Sequence, residues 1–111
     1  MNLNDYQELS KRTLPEFKHS KSSKAANLSN YAMGLSGEAG EVVDLLKKHV
    51  YHEHPLDREE LAGELGDTLH YLSGLASMNG LTLEEIAIKN IEKLKKRYPN
   101  GFSKEDSLNR G

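Results

Sequence analysis

The segment from Ser36 to Lys48, SGEAGEVVDLLKK, has the apolar spacing of a helix but carries glycines at 37 and 40, each directly before a glutamate. Val42 and Leu46 continue a stripe that begins upstream at Leu28, Ala32, Leu35 and Ala39, recurring every three or four residues. The same motif returns after a short gap as GELGD, Gly63 to Asp67. A glycine inside a helix costs about 1 kcal/mol relative to alanine, so Gly37, Gly40, Gly63 and Gly66 together give up about 3 to 4 kcal/mol. Close packing of two helix backbones is the ordinary reason to accept that cost. A second reason is that close approach brings the neighbouring acids within reach of one ion. Both are expected here.

Working outward, no period-2 strand pattern or hairpin turn interrupts the helical reading. A first short helix starts near Asn4 or Asp5 and is limited by Pro15. His19 to Lys24 is polar and serine-rich and reads as a loop. The helix that holds the opening segment runs over roughly 25–51 and stops before Pro55. Beside its apolar stripe lie Tyr31, Gly34, Glu38, Glu41, Leu45 and Lys48. The next helix opens with a capping box, Asp57 and Glu60, and a hydrophobic staple, Leu56 and Leu61. Its apolar face is Leu61, Leu65, Leu69 and Leu72, and Asn79-Gly80 stops it. Thr82 with Glu85, and Leu81 with Ile86, repeat the start device for a last helix. There Leu83, Ala87, Ile91, Leu94 and Tyr98 are expected to face a core, and Pro99-Asn100-Gly101 ends it. The tail from Ser103 is polar and is expected to order on another subunit. Short loops make neighbouring helices antiparallel. The expectation is one all-α domain over residues 1–111, four-helix-bundle-like.

Composition narrows the function classes. Apolar residues make up 36% and charged residues 29% of 111 residues, a small core that favours an oligomer. No apolar run is long enough to span a membrane, and no signal peptide is read at the N-terminus. There are no cysteines, which removes disulfides and cysteine-based zinc sites. A net charge of −2 argues against a general nucleic-acid binder. The expected setting is the cytoplasm, without nucleic-acid or membrane partners.

Glu38 and Glu41 share one helix face, and Glu64 and Asp67 do the same on the following helix. Antiparallel packing lets the four carboxylates converge, which is unfavourable without a counter-charge. Oxygen-only ligands fit Mg²⁺, with Mn²⁺ as the alternative, better than Zn²⁺. An isolated E-x-x-E occurs on almost any solvated helix. Here the acids adjoin apolar and small residues, and the pairs fall on consecutive helices. On the last helix Asn90, Lys93 and Arg97 share a face suited to phosphate oxygens, although a solvated face explains them as simply. Lys48 follows Glu41 on the acidic face, and Tyr71 follows Asp67 by four residues. His49, His52 and His54 straddle a helix end and a proline, which is no regular zinc spacing.

GEAGEVVDLLKK followed by GELGD resembles the MazG-like nucleoside triphosphate pyrophosphohydrolases, whose signature is E-x-x-E, a spacer and E-x-x-D. DYQELSKRT, HPLDREELAGELGD, NIEKLKKRYPNGFS and the closing SLNR are similar to the compact phage and bacterial members. One departure is His70-Tyr71, where those members often have Trp-Tyr. The resemblance implies hydrolysis of (deoxy)nucleoside triphosphates to monophosphate and pyrophosphate, a nucleotide-pool house-cleaning role, and a homodimer or homotetramer. It implies metal ligation by Glu38, Glu41, Glu64 and Asp67, and substrate contacts from Lys48, Tyr71, Asn90, Lys93 and Arg97. Glu41 is the choice for a general base. The rival reading is a non-catalytic, Mg²⁺- and nucleotide-binding helical oligomer.

Overall fold

The structure is a computed structural model that describes residues 1–14, 21–101, 104 and 108, with the backbone alone at 21–23. Pro15, His19, Ser20 and most of the tail lie outside the described residues. The fold is all-α, and among the described residues there is no strand. Among the described residues four helices carry it: α1 (Leu3–Ser10), α2 (Lys21–Tyr51), α3 (Arg58–Met78) and α4 (Leu83–Arg97). A 3-10 turn, Lys11–Thr13, follows α1.

Local chemistry sets most of the helix ends. The Asn2 side chain accepts from the Asp5 N–H at 2.8 Å, and Asp5 accepts from the Asn2 N–H at 3.2 Å. That reciprocal box starts α1 slightly earlier than the sequence suggested. Asp57 Oδ1 accepts from the N–H groups of Glu59 and Glu60 at 3.0 and 3.2 Å, so α3 has its cap without the reverse bond from Glu60. Thr82 and Glu85 form the complete box expected for α4. Gly80 has φ +69°, a left-handed turn that glycine adopts without strain. The loop expected over His19 to Lys24 is corrected in its second half, because α2 already begins at Lys21. With no proline or glycine between Lys21 and Gly34, nothing in the local sequence stops the helix from extending backwards.

Helices α2 and α3 form an antiparallel hairpin through an exchange of rings and glycines. Tyr31 on α2 lies over Gly74 of α3, where an added Cβ would overlap its ring. Tyr71 on α3 lies over Gly34 of α2 in the same way. The two tyrosine rings meet edge to face, with centroids 5.2 Å apart. These glycines are the close-packing positions. The expectation for Gly37, Gly40, Gly63 and Gly66 is corrected: a Cβ at any of them would meet nothing within 4 Å. The reason is register. Bulky Tyr31 and Tyr71 choose which glycines face a neighbour, and the motif glycines point elsewhere.

The buried residues sit where α1 meets the end of α3 and the start of α4. Tyr31, Ser73, Ala76, Met78 and Leu83 are buried there, together with Gln7. Gln7 donates to Ser77 Oγ at 3.0 Å and to the Leu81 carbonyl at 2.8 Å, and accepts from the Leu83 N–H at 2.8 Å. The Asn4 side chain donates to the Glu84 carboxylate and accepts from the Glu84 N–H, both at 3.2 Å. α4 therefore packs mainly on α1. The expected core face of α4 holds at Leu83 and partly at Ala87 and Tyr98, whereas Ile91 and Leu94 are 51% and 40% exposed. Leu65 on α3 is likewise 51% exposed, with no described element covering it.

Candidate metal centre

The α2–α3 hairpin carries the acidic residues to one place. Glu38 from α2 and Glu64 and Asp67 from α3 each offer a carboxylate oxygen, and these oxygens lie within 4.8 Å of one another. Glu38 and Glu64 are half-buried and Asp67 is exposed. The register that seats Tyr31 on Gly74 continues along the hairpin and sets Glu38 opposite the Glu64–Asp67 turn. Antiparallel packing of two i,i+3 acid pairs thus produces a convergent group.

The electrostatics of this group are one-sided. Partial desolvation pushes the Glu64 carboxyl above its ordinary range, aided by a hydrogen bond with Glu38 and the negative charges of Glu38, Glu41 and Asp67. Every one of these neighbours raises it, and none supplies a compensating positive charge. A hard divalent cation fits this donor set of carboxylate oxygens.

The other sequence-derived residues divide into three groups. Glu41 is exposed on α2 and stands outside the group of three, though its charge reaches Glu64. Lys48 belongs to the same acidic face, but its Nζ is 2.9 Å from Asp44 Oδ2. That hydrogen bond raises the Lys48 ammonium above its ordinary value, with Glu41 and Glu60 adding to it, and lowers the Asp44 carboxyl. Tyr71 sits one turn beyond Asp67, with its ring committed to Gly34 and Tyr31. Asn90, Lys93 and Arg97 are exposed on α4, whose main packing partner is α1. His49 Nδ1 lies 2.8 Å from the His54 carbonyl oxygen, a helix-end contact. Among the described residues, the acidic group is where ligand atoms converge.

Sequence reasoning left one neighbouring feature open. His70, one turn from Asp67, is held through both ring nitrogens: Nδ1 is 2.7 Å from Ser10 Oγ and Nε2 is 3.1 Å from Thr13 Oγ1. Tyr31 Oη donates to the Thr13 carbonyl at 3.2 Å. A serine and a threonine at the end of a short helix give no sequence signal of a distant histidine partner, so this contact had to be seen.

Residues 26–102 match the MazG nucleotide pyrophosphohydrolase domain. The chain belongs to that family. It is also 33% identical over 87 residues to the Gene 37 protein of Mycobacterium phage L5, covering 75% of this chain and 76% of that protein. No solved structure matches. Family membership supports nucleotide pyrophosphohydrolase activity in general, and the family's dependence on divalent metal agrees with the acidic group on the hairpin. No described helix is long and apolar enough to cross a membrane.

Proposed function

We propose that the chain is a Mg²⁺-dependent hydrolase that cleaves (deoxy)nucleoside triphosphates to the monophosphate and pyrophosphate. The observation that carries the reading is the uncompensated cluster of Glu38, Glu64 and Asp67 across the hairpin, in a chain of this family. These three would hold the ion, with Glu41 completing the set from the next turn of α2. Mg²⁺, or Mn²⁺ in its place, would neutralise the carboxylates and the phosphate chain and polarise the anhydride under attack.

The chain's own residues then have separate tasks. Glu41, less tightly clustered than the other three, takes the proton of the attacking water on a carboxylate oxygen as the α–β anhydride breaks. Lys48, released from Asp44 or shared with it, steadies phosphate oxygens. Asn90, Lys93 and Arg97 reach the substrate from α4 of a second copy. A homodimer, or a homotetramer built from dimers, would also cover the exposed apolar residues of α4 and α2. Cleaning of the cytoplasmic nucleotide pool is the role that fits a small hydrolase of this type.

Metal removal tests the central feature. Protein treated with a chelator and dialysed should release no monophosphate from a panel of NTPs and dNTPs, and should recover activity when Mg²⁺ or Mn²⁺ is returned. Undiminished turnover in the presence of chelator would remove the metal from the account.

A further inference from the structure

The sequence holds two Asn-Gly dipeptides, Asn79-Gly80 and Asn100-Gly101. Such a pair can modify itself, because glycine puts no side chain in the way of its own main-chain nitrogen. That nitrogen attacks the asparagine Cγ. A C–N bond forms and closes a cyclic imide, the glycine N–H proton passes to water, and the side-chain nitrogen leaves as ammonia. Water then opens the ring at either carbonyl and leaves aspartate or isoaspartate. No oxidant, metal or second protein takes part. The two dipeptides are equivalent in sequence, and all four residues are exposed, so exposure does not separate them.

The hydrogen bonds do. Asn79 Nδ2 donates to the Leu75 carbonyl at 2.7 Å, which directs the amide back along α3 and away from the Gly80 nitrogen. The main chain around it is closed three times. The Asn79 and Leu81 N–H groups donate to the Ala76 carbonyl at 3.1 and 2.9 Å, and the Gly80 N–H donates to the Ser77 carbonyl at 3.3 Å. Gln7 fastens the same corner from α1, through Ser77 Oγ and the Leu81 carbonyl. To close the imide, Asn79 must undo the junction of α1, α3 and α4. Asn100 lies past the end of α4. Among the described residues its side chain has no hydrogen-bond partner. Its turn is held by the bond from the Gly101 N–H to the Tyr98 carbonyl at 3.1 Å, with an isolated bridge between Pro99 and Gly101 beside it. Such a turn opens at a lower free energy than a packed helix junction, so its nitrogen is free for more of the time.

We propose that Asn100 is a site of spontaneous modification, converting through the imide to isoaspartate and aspartate, while the fold protects Asn79. The product adds a negative charge just after the basic last turn of α4, Lys95, Lys96 and Arg97. The C-terminal end of a helix is where added negative charge is least welcome. Isoaspartate also inserts one more main-chain carbon into the Tyr98–Gly101 turn. That turn forms one end of a groove of about 360 Å³ whose walls include Ile91, Leu94 and Lys95, so the groove changes as the chain ages.

The test is a comparison of two rates in one molecule. The full chain is incubated at mildly alkaline pH, once folded and once in enough guanidinium chloride to unfold it. Trypsin places the two dipeptides in different peptides, and mass spectrometry follows the amide-to-acid mass gain in each. In the folded chain Asn100 should convert several-fold faster than Asn79, with isoaspartate in excess of aspartate. In guanidinium the two rates should come together. Equal rates in the folded chain, or faster loss of Asn79, overturn the proposal. So does a difference that persists in guanidinium, since the fold would then not be its cause. Gln7→Ala loosens the corner and should speed conversion of Asn79 several-fold. An unchanged Asn79 rate in that variant would remove the protection on which the assignment rests.

Discussion

A methyl group added at Gly74 would fall on the ring of Tyr31, and one at Gly37 would meet open space. The two Gly→Ala substitutions therefore have opposite signs. Gly74→Ala should lower stability by about 1–3 kcal/mol, through overpacking of a ring that has nowhere to move. Gly37→Ala should raise it by up to about 1 kcal/mol, since it gains helix propensity and loses no contact. Urea unfolding of the two variants measures both, and a shared sign would contradict the tyrosine–glycine exchange. Glu64 adds a pH dependence. Its carboxyl is raised in the folded chain, so between the unfolded and folded pKa values the native state holds the extra proton. The contribution of Glu64 to stability thus falls as pH rises through that window and gains nothing further below the unfolded value. Metal-free protein should lose part of its stability as pH rises above the ordinary glutamate value of 4.5, and Glu64→Gln should flatten that slope. A variant with the wild-type slope would show that the cluster is not repulsive. The acid spacing was legible in the sequence because i,i+3 pairs on consecutive helices can converge in few ways. The glycine roles were not, since a glycine's spacing does not say which side chain faces it.

At the scale of the helices, Gln7 does the joining. Its amide satisfies Ser77, the Leu81 carbonyl and the Leu83 N–H where α3 turns into α4. Gln7→Ala would leave the buried Leu83 N–H without its side-chain acceptor, at a cost of about 1–3 kcal/mol. Denaturant unfolding should show that loss, and an unchanged midpoint would mean that α1 contributes little to holding α4. Helix starts at Asp57 and Thr82 and the stop at Gly80 were readable because capping is decided within four or five residues. The partner of α4 was not readable. An amphipathic stripe such as Leu83, Ile91 and Leu94 says that a face can be buried, not against what. Of these three, Leu83 alone is buried among the described residues.

For the molecule as a whole, the uncovered apolar residues belong with the proposed second copy. Val43 and Val50 on α2 and Ile88 and Ile91 on α4 are each more than half exposed, at 63%, 64%, 52% and 51%. Such stripes on a charged chain mark an interaction surface. Ile88→Glu with Ile91→Glu should shift the protein to a smaller species by light scattering and reduce turnover, since Lys93 and Arg97 would no longer reach a neighbouring hairpin. A wild-type protein that is monomeric at working concentration would contradict the assembly. The account as a whole turns on which bond is cut. Incubation of the metal-loaded protein with a panel of NTPs and dNTPs, followed by chromatographic separation of the products, decides this directly. The account predicts nucleoside monophosphate and pyrophosphate in equal amounts from at least one nucleotide. Nucleoside diphosphate with inorganic phosphate, or no product from any of them, would contradict it.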